Sequence, residues 1–359
     1  MAKTKPSVAI VFNHVGDDEY EKLKDVDPKS LGFKPEYDIH VATIMEEYEA
    51  IVDALKKEGF RPNLVNVNDD LTKLSTLLWS HRPDVIFNLL EYFKEDPKLE
   101  AMVAGLYDLY GVPFTGAPPF SLALCQRKGL TKQILHANGV RTPRFHLLMK
   151  PKLRNRHGLH YPLIVKPARE DASTGIEKTS VVYDQSQLHE RIDYAFEHFS
   201  HPILVEEFIE GRELHVAILG NDPPEVLPIL EYDFSMLPPE FPRIISYTAK
   251  WEPLKEEFHR VHTICPAKLP KRVEARVREQ ALAAYRLTNC RDYARVDMRL
   301  SNDDHVYVLE VNPNPDLTEG VSFMESAEKA GLSFSKTLKM IVDMALSRTA
   351  KPAVPPPAQ

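Results

Sequence analysis

The chain has 359 residues, with 45 basic against 52 acidic side chains and a net charge of −7. Hydrophobic residues make up 43% and charged residues 27%, the balance of a globular chain of two or three domains at roughly 100–200 residues each. That charge excludes a bulk basic field for nucleic acid, and no apolar run reaches the ~18–20 residues of a membrane span. Three scattered cysteines, Cys125, Cys265 and Cys290, give neither a disulfide framework nor metal-type spacing. The short polar start, Met1 to Pro6, does not read as a secretory signal, so the expected compartment is the cytoplasm.

In chain order, Ser7–Asn13 reads as a buried strand, Glu46–Glu58 as a helix stopped by Gly59, Asn63–Val67 as a strand, Leu71–Trp79 as a helix and Asp84–Leu90 as a strand. Strands alternating with helices predict a small doubly wound parallel sheet. The polar stretch Gly16–His40 is longer than most strand-to-helix connections, and such loops are often functional or mobile. Further on, a helix ends over Lys132–Asn138, Tyr161–Pro167 and Ile203–Glu207 read as strands, and Gln185–Phe199 as the helix between them. The last third holds strands at Leu214–Leu219, Tyr293–Leu300 and Val306–Val311 and helices at Lys271–Leu287 and Phe334–Ala345. The fold class is therefore α/β, with α+β character in the C-terminal half. The proline-rich tail 351–359 is expected to be disordered.

The stretch Tyr293–Asn314, YARVDMRLSNDDHVYVLEVNPN, predicts a β-hairpin turning at Ser301–Asp304. Pairing Leu300 with His305 sets Arg295 opposite Glu310 and Tyr293 opposite Asn312. Arg295, Asp297, Glu310 and Asn312 then share one face, because strand side chains alternate. A solvated sheet face would look similar. These oxygen ligands nonetheless suit Mg²⁺, and Arg295 suits a phosphoryl group or an oxyanion. Lys166 interrupts an apolar strand, either snorkelling to an edge or meeting a phosphate. The following loop, Ala168–Ile176, is small and polar; it can lay N–H groups over phosphates or be an ordinary turn. Glu206, Glu207 and Glu213 flank the next strand end, where a carboxylate can accept from a ribose hydroxyl or simply be a charged terminus.

Taken in order, the Lys166 strand, the loop, VEEFIEGRE, RVD and LEVNPNP resemble the ATP-grasp superfamily. The finer pattern, with YGVPFTGAPPFSLALCQRKGLTKQILHANGVRTP over 110–143 and YTAKW at 247–251, resembles its D-alanine–D-alanine ligase branch. The resemblance covers roughly residues 84–346. It implies an N-terminal Rossmann-like domain (1–118), a central ATP-grasp lobe (119–213) and a C-terminal lobe (214–350), with ATP between the lobes. Position by position, it implies that Lys128 and Lys166 contact ATP phosphates and the adenine side, with Ser173 and Thr174 in the phosphate loop. Glu206, Glu207, Phe208 and Ile209 would read adenine, and Glu213 the ribose. Lys250 would reach the phosphates from a mobile loop and Arg295 would steady the transferring group. Asp297, Glu310 and Asn312 would hold two Mg²⁺ ions, with Mn²⁺ as an alternative.

The implied reaction activates a carboxylate as an acyl phosphate, which an amine then attacks. The implied partners are amino-acid or carboxylate substrates and a second copy of the chain in a homodimer, with no nucleic acid and no membrane. Departures concentrate at the substrate. A family serine is Ala172, a tyrosine is Trp251, a glycine is Asp316, and a serine falls near Val321 or Ser322. The N-terminal segment that carries a family glutamate is replaced, with Glu19 a stand-in, and only Glu91 and Glu95-Asp96 match another motif. A ligase with another substrate pair is expected. The alternatives are D-alanine–D-alanine ligase proper, a non-catalytic nucleotide-binding module, and a kinase-like enzyme that stops at phosphoryl transfer.

Overall fold

The first strand, β1 (Ser7–Phe12), is apolar after its serine because both of its faces are covered. In the computed structural model, which describes residues 5–16, 18–170 and 172–348, β1 pairs in parallel with β2 (Arg61–Asn66) and β3 (Val85–Asn88), giving the order β2-β1-β3. Val8 and Ile10 pack towards α1 (Ile44–Lys57) and the C-terminal helix Phe334–Ser347, while Ala9 and Val11 pack towards α2 (Leu71–Trp79) and α3 (Glu100–Leu109). Helices on both sheet faces are the doubly wound arrangement that the alternation predicts. The expected tail over 351–359 lies outside the described residues.

α1 starts where a capping box allows it. Thr43 Oγ1 accepts from the Glu46 N–H at 3.3 Å and the Thr43 N–H donates to Glu46 Oε2 at 2.8 Å; a cap of this kind is worth about 1 kcal/mol. The polar stretch before it contains two short 3-10 helices, Glu19–Asp25 and Pro28–Ser30.

After α4 (Pro119–Cys125) and α5 (Lys128–Ala137), a second sheet forms from β4 (Phe145–Leu148), β5 (Leu163–Pro167), β6 (Val181–Val182) and β7 (Ile203–Glu207), in the order β4-β7-β5-β6. Helix α6 (Gln185–His198) covers it through Leu188, Ile192 and Ala195. The third sheet contains β8 (Gly211–Leu219), β9 (Glu225–Val226), β10 (Leu230–Asp233), β11 (His262–Ile264), β12 (Tyr293–Ser301) and β13 (Val306–Asn312). Its order is β11-β10-β8-β12-β13, with β9 beside β8. Strand β8 starts before the expected division at 213/214 and runs across it. Between β10 and β11 lie α7 (Tyr247–Trp251) and α8 (Glu256–His259); α9 (Lys271–Leu287) covers one face of the sheet, and α10 (Ser322–Lys329) and α11 (Phe334–Ser347) complete the chain. Among the described residues no helix is long and apolar enough to cross a membrane.

The late hairpin forms with a register different from the sequence expectation. Ser301 N–H donates to His305 O at 2.9 Å, and His305 N–H donates back to Ser301 Oγ at 3.0 Å. The loop is therefore Asn302–Asp304, with Asp304 in the left-handed region at φ 62, a conformation that aspartate tolerates. Leu300 consequently faces Val306, not His305. A bulge then adds a second shift: Asp297 faces Glu310 while Met298 faces Val308, leaving Leu309 as the extra residue. Arg295 faces Asn312, not Glu310. One slip would turn every polar side chain into the core. The second slip restores the parity, so the predicted polar face survives with Val306, Val308 and Val311 behind it.

Candidate active site

The polar face of β12 is a ladder of charge. Arg295, Asp297 and Arg299 alternate along it, opposite Ala217, His215 and Glu213 of β8 and Asn312, Glu310 and Tyr307 of β13. Arg295 donates to both oxygens of Asp297, Nε to Oδ1 at 2.7 Å and Nη2 to Oδ2 at 2.9 Å. Asn312 Nδ2 donates to Asp297 Oδ2 at 2.9 Å. Burial opposes charge on Asp297, but Arg295, His215 and Lys250 outweigh it and hold the carboxyl well below the usual carboxylate range.

Lower in the ladder, Arg299 Nη1 donates to Glu213 Oε2 at 3.1 Å. Burial nevertheless pushes the Glu213 carboxyl up to about 7, with Arg299 opposing. His215 is buried; its Nδ1 lies 3.0 Å from Ser322 Oγ and its Nε2 3.6 Å from Asp297 Oδ1.

The central lobe faces this ladder with lysines. Lys128 Nζ lies 3.3 Å from Glu310 Oε2 and donates to Glu170 O at 2.7 Å, joining the two lobes. Lys166 and Lys132 grip opposite oxygens of Glu206, at 2.6 Å from Oε1 and 2.9 Å from Oε2. Lys132 Nζ and Glu206 Oε2 meet as an ion pair without hydrogen-bond alignment. Burial opposes charge on Glu206, but the two lysines outweigh it and hold the carboxyl at about 2; burial holds Lys132 below the usual lysine range.

Glu207 points elsewhere. Neighbours on a strand face opposite ways, and its Oε1 accepts from His160 N at 3.0 Å and lies 3.6 Å from Arg144 Nη1. Its carboxylate does not join the lysine cluster expected to receive adenine. The Phe208 ring lies under the Arg299 guanidinium at 4.7 Å and its N–H donates to Pro162 O; Ile209 is half-buried between β7 and β8.

Ser173 and Thr174 sit half-buried in a tight loop with Ala172 at φ 57, Ser173 at φ 63 and Gly175 at φ 72. That loop touches the segment carrying Lys250: Trp251 Nε1 donates to Ala172 O at 2.7 Å and Tyr247 N to Ile176 O at 2.8 Å. Lys250 is held below the usual lysine range by burial and by Arg295, against Asp297, Asp316 and Glu310.

Several members of the site escaped the sequence reading. Lys132 lies four residues after Lys128, and that spacing puts both on one helix face. Arg299 continues the period-two run from Arg295 and Asp297. His215 interrupts an apolar strand as Lys166 does. Glu47 had no signal. Burial, then Asp316, pushes its carboxyl up to about 7 against a hydrogen bond with Thr318. The side chain of Glu19, the expected stand-in, lies outside the described residues.

A family model described as D-ala D-ala ligase C-terminus matches residues 134–343, more than half of the chain. The chain belongs to the D-alanine–D-alanine ligase family. It is accordingly an ATP-grasp enzyme, an ATP-dependent ligase that forms a C–N bond between small-molecule substrates. Among relatives, it is 31% identical over 299 residues to D-alanine–D-alanine ligase of Pseudothermotoga lettingae, covering 83% of this chain and 93% of that protein. It is 32% identical over 310 residues to the uncharacterized protein y4sG of Sinorhizobium fredii, covering 84% and 87%. The fold matches D-alanine–D-alanine ligase of Bacillus anthracis complexed with ATP at a TM-score of 0.71 and 22% identity, over 96% of this chain and 98% of that one. VanG D-Ala:D-Ser ligase of Enterococcus faecalis matches at 0.68 and 21%, over 95% and 99%.

The donor set fits a family ligase's metal. Two carboxylates, Asp297 and Glu310, and one amide, Asn312, meet across one pair of strands. Hard oxygen donors in small number suit Mg²⁺ when phosphates and water complete the shell.

Proposed function

We propose that this ligase joins a carboxylate to an amine through an acyl phosphate, with an amino-acid pocket different from that of D-alanine–D-alanine ligase. The nucleotide would lie between β5–β7 and the β12–β13 face. Lys128, Lys166 and Lys250 would contact its phosphates, Glu206 and the backbone at 207–209 the adenine, and Glu213 the ribose. Ser173 and Thr174 would cover the phosphates. Asp297, Glu310 and Asn312 would hold one or two Mg²⁺ ions, which neutralise phosphate charge. A substrate carboxylate oxygen attacks the γ-phosphorus and ADP leaves. An amine nitrogen then attacks the acyl carbon and phosphate leaves, giving an amide once the nitrogen loses its proton. Arg295 would steady the phosphoryl group and the oxyanion. The closed loops around Ala172 and Trp251 would keep water from the acyl phosphate.

The observation that carries the altered pocket is the contact between these loops. Where the resemblance puts a serine and a tyrosine, an indole N–H meets the backbone oxygen of Ala172. The loop closes without the hydroxyl network that recognises the first amino acid. Glu47 and Asp316 bring two carboxylates near each other, Asp316 also acts on Lys250, and His215 takes the Ser322 hydroxyl. Changing buried hydrogen-bonding groups alters specificity strongly, because an unmatched substrate leaves partners unpaired.

ADP release, screened over pairs of amino acids and followed by product mass, tests this reading. Amide formed from a pair other than two D-alanines supports it. The names of the relatives favour the second reading: ADP released with D-alanine alone, and D-alanyl-D-alanine as product, would establish that and reject the altered pocket.

A further inference from the structure

The polar stretch between β1 and α1 has no part in the chemistry above, yet it is built onto the segment that carries Lys250. Asp18 pins both its ends: Oδ1 accepts from Tyr20 N–H at 2.9 Å and Oδ2 from Ile44 N–H at 2.7 Å, at the head of α1. His40 Nε2 lies 3.0 Å from Val26 O and closes the excursion on itself. Three aromatic side chains leave this base and land on the segment that follows Lys250. Tyr20 Oη donates to Trp251 O at 3.3 Å. The Phe33 ring packs on His259 at 5.3 Å. Tyr37 packs on Phe258, His259 and His262, and its Oη lies 2.7 Å from His262 Nδ1.

His259 acts as the rivet. It is 1% exposed. Its Nδ1 accepts the Tyr37 N–H at 3.1 Å, so the proton sits on Nε2, which donates to Pro253 O at 2.7 Å. One imidazole thereby ties the excursion to the backbone just beyond Lys250. From the other side the same segment is held by backbone oxygens, Ala172 O to Trp251 and Ile176 O to Tyr247.

We propose that residues 18–40 are a strap that keeps the 246–262 segment closed over the phosphate site, so that Tyr37 is a positioning residue acting through His259 on Lys250. The role assigned to Lys250 rests on the ligase reading above. The strap adds a second hold to the one that Trp251 Nε1 makes on Ala172 O. A segment already ordered loses less conformational entropy when nucleotide binds. Loosening it lowers the fraction of molecules ready to bind, and apparent affinity falls by that fraction.

The chain has two tryptophans, Trp79 and Trp251. Trp79 is 79% exposed at the end of α2, so the Trp79→Phe protein reports the segment through Trp251 fluorescence alone. In that full-length background, acrylamide quenching of Trp251 is expected to rise severalfold on Tyr37→Ala, and less on Tyr37→Phe, which keeps the ring. Circular dichroism should be unchanged, since Tyr37 is 39% exposed. Unchanged quenching in both variants overturns the strap, whether or not the protein turns over. With MgATP and any productive amino-acid pair, Tyr37→Ala should raise the KM for ATP while kcat at saturation is kept; a fall in kcat alone rejects positioning through Lys250. If quenching rises but no pair yields ADP, the strap stands and the ligase reading fails.

Discussion

Arg295 holds both carboxylate oxygens of Asp297, two residues along the same strand, at 2.7 and 2.9 Å. Each charge neutralises the other in a place closed to water, and Asn312 adds a third contact. Asp297→Asn keeps the shape but leaves the guanidinium short of its counter-charge. Turnover is expected to fall a hundredfold or more, since losing the proposed metal ligand would remove several kcal/mol of charge stabilisation. Stability should fall by about 1–3 kcal/mol. Steady-state rates across a Mg²⁺ titration, with thermal unfolding alongside, check both. Wild-type rates would remove Asp297 from the metal site.

Glu213 gives a pH signature. Its folded carboxyl is pushed up to about 7 by burial, whereas the unfolded value is about 4.3. Between those values the native state binds the extra proton, so stability falls as pH rises through the window and levels off above it. The size is on the order of 3 kcal/mol. Glu47, also pushed up to about 7, adds a slope of the same sign. Glu213→Gln should remove its share of the fall, measured as urea midpoints from pH 4.5 to 8. An undiminished slope would assign the dependence elsewhere.

The elements were legible where one rule set each outcome. β1 announced itself by an apolar run, and α1 by its helical spacing and Gly59. The polar face was legible because side chains alternate along each strand and the two register shifts, at the loop and at the bulge, cancel. The register itself was not, because neither the three-residue loop at Asn302–Asp304 nor the bulge at Leu309 has a local signature strong enough to place it. The Glu207 carboxylate turns away from that of Glu206 because neighbours on a strand face opposite ways. Lys132 and Glu47 became visible once helices were docked, since burial and like charge are properties of the assembled site.

Lys166 and Lys132 share Glu206, so removing Lys166 does not leave the buried carboxylate unpaired. Lys166→Ala leaves the Glu206–Lys132 pair and takes away a proposed phosphate contact. ATP affinity should drop roughly ten- to a hundredfold, the value of a charge-assisted hydrogen bond. Lys22→Ala, on the exposed side of the polar stretch, should leave it unchanged. Titration calorimetry with MgATP measures both. Equal effects would move the phosphate contact away from Lys166.

Gly175 is held at φ 72, and a Cβ there would stand 2.8 Å from Pro167 Cγ and Cδ. The ring of Pro167 closes β5 and has no room to retreat. Gly175 O accepts from Arg191 Nη2 at 2.8 Å and from the Ser180 hydroxyl at 3.2 Å, so the backbone is fixed from the other side too. Gly175→Ala therefore costs about 1–2 kcal/mol for the left-handed conformation, and the clash adds to it. The loop can relieve both only by shifting Ala172 and Ser173, which breaks the contact of Ala172 O with Trp251. Activity should consequently fall further than thermal stability does, and hydrogen exchange should quicken over 168–176 and 247–251 together. Exchange that quickens in the first segment alone would show that the two loops are not coupled.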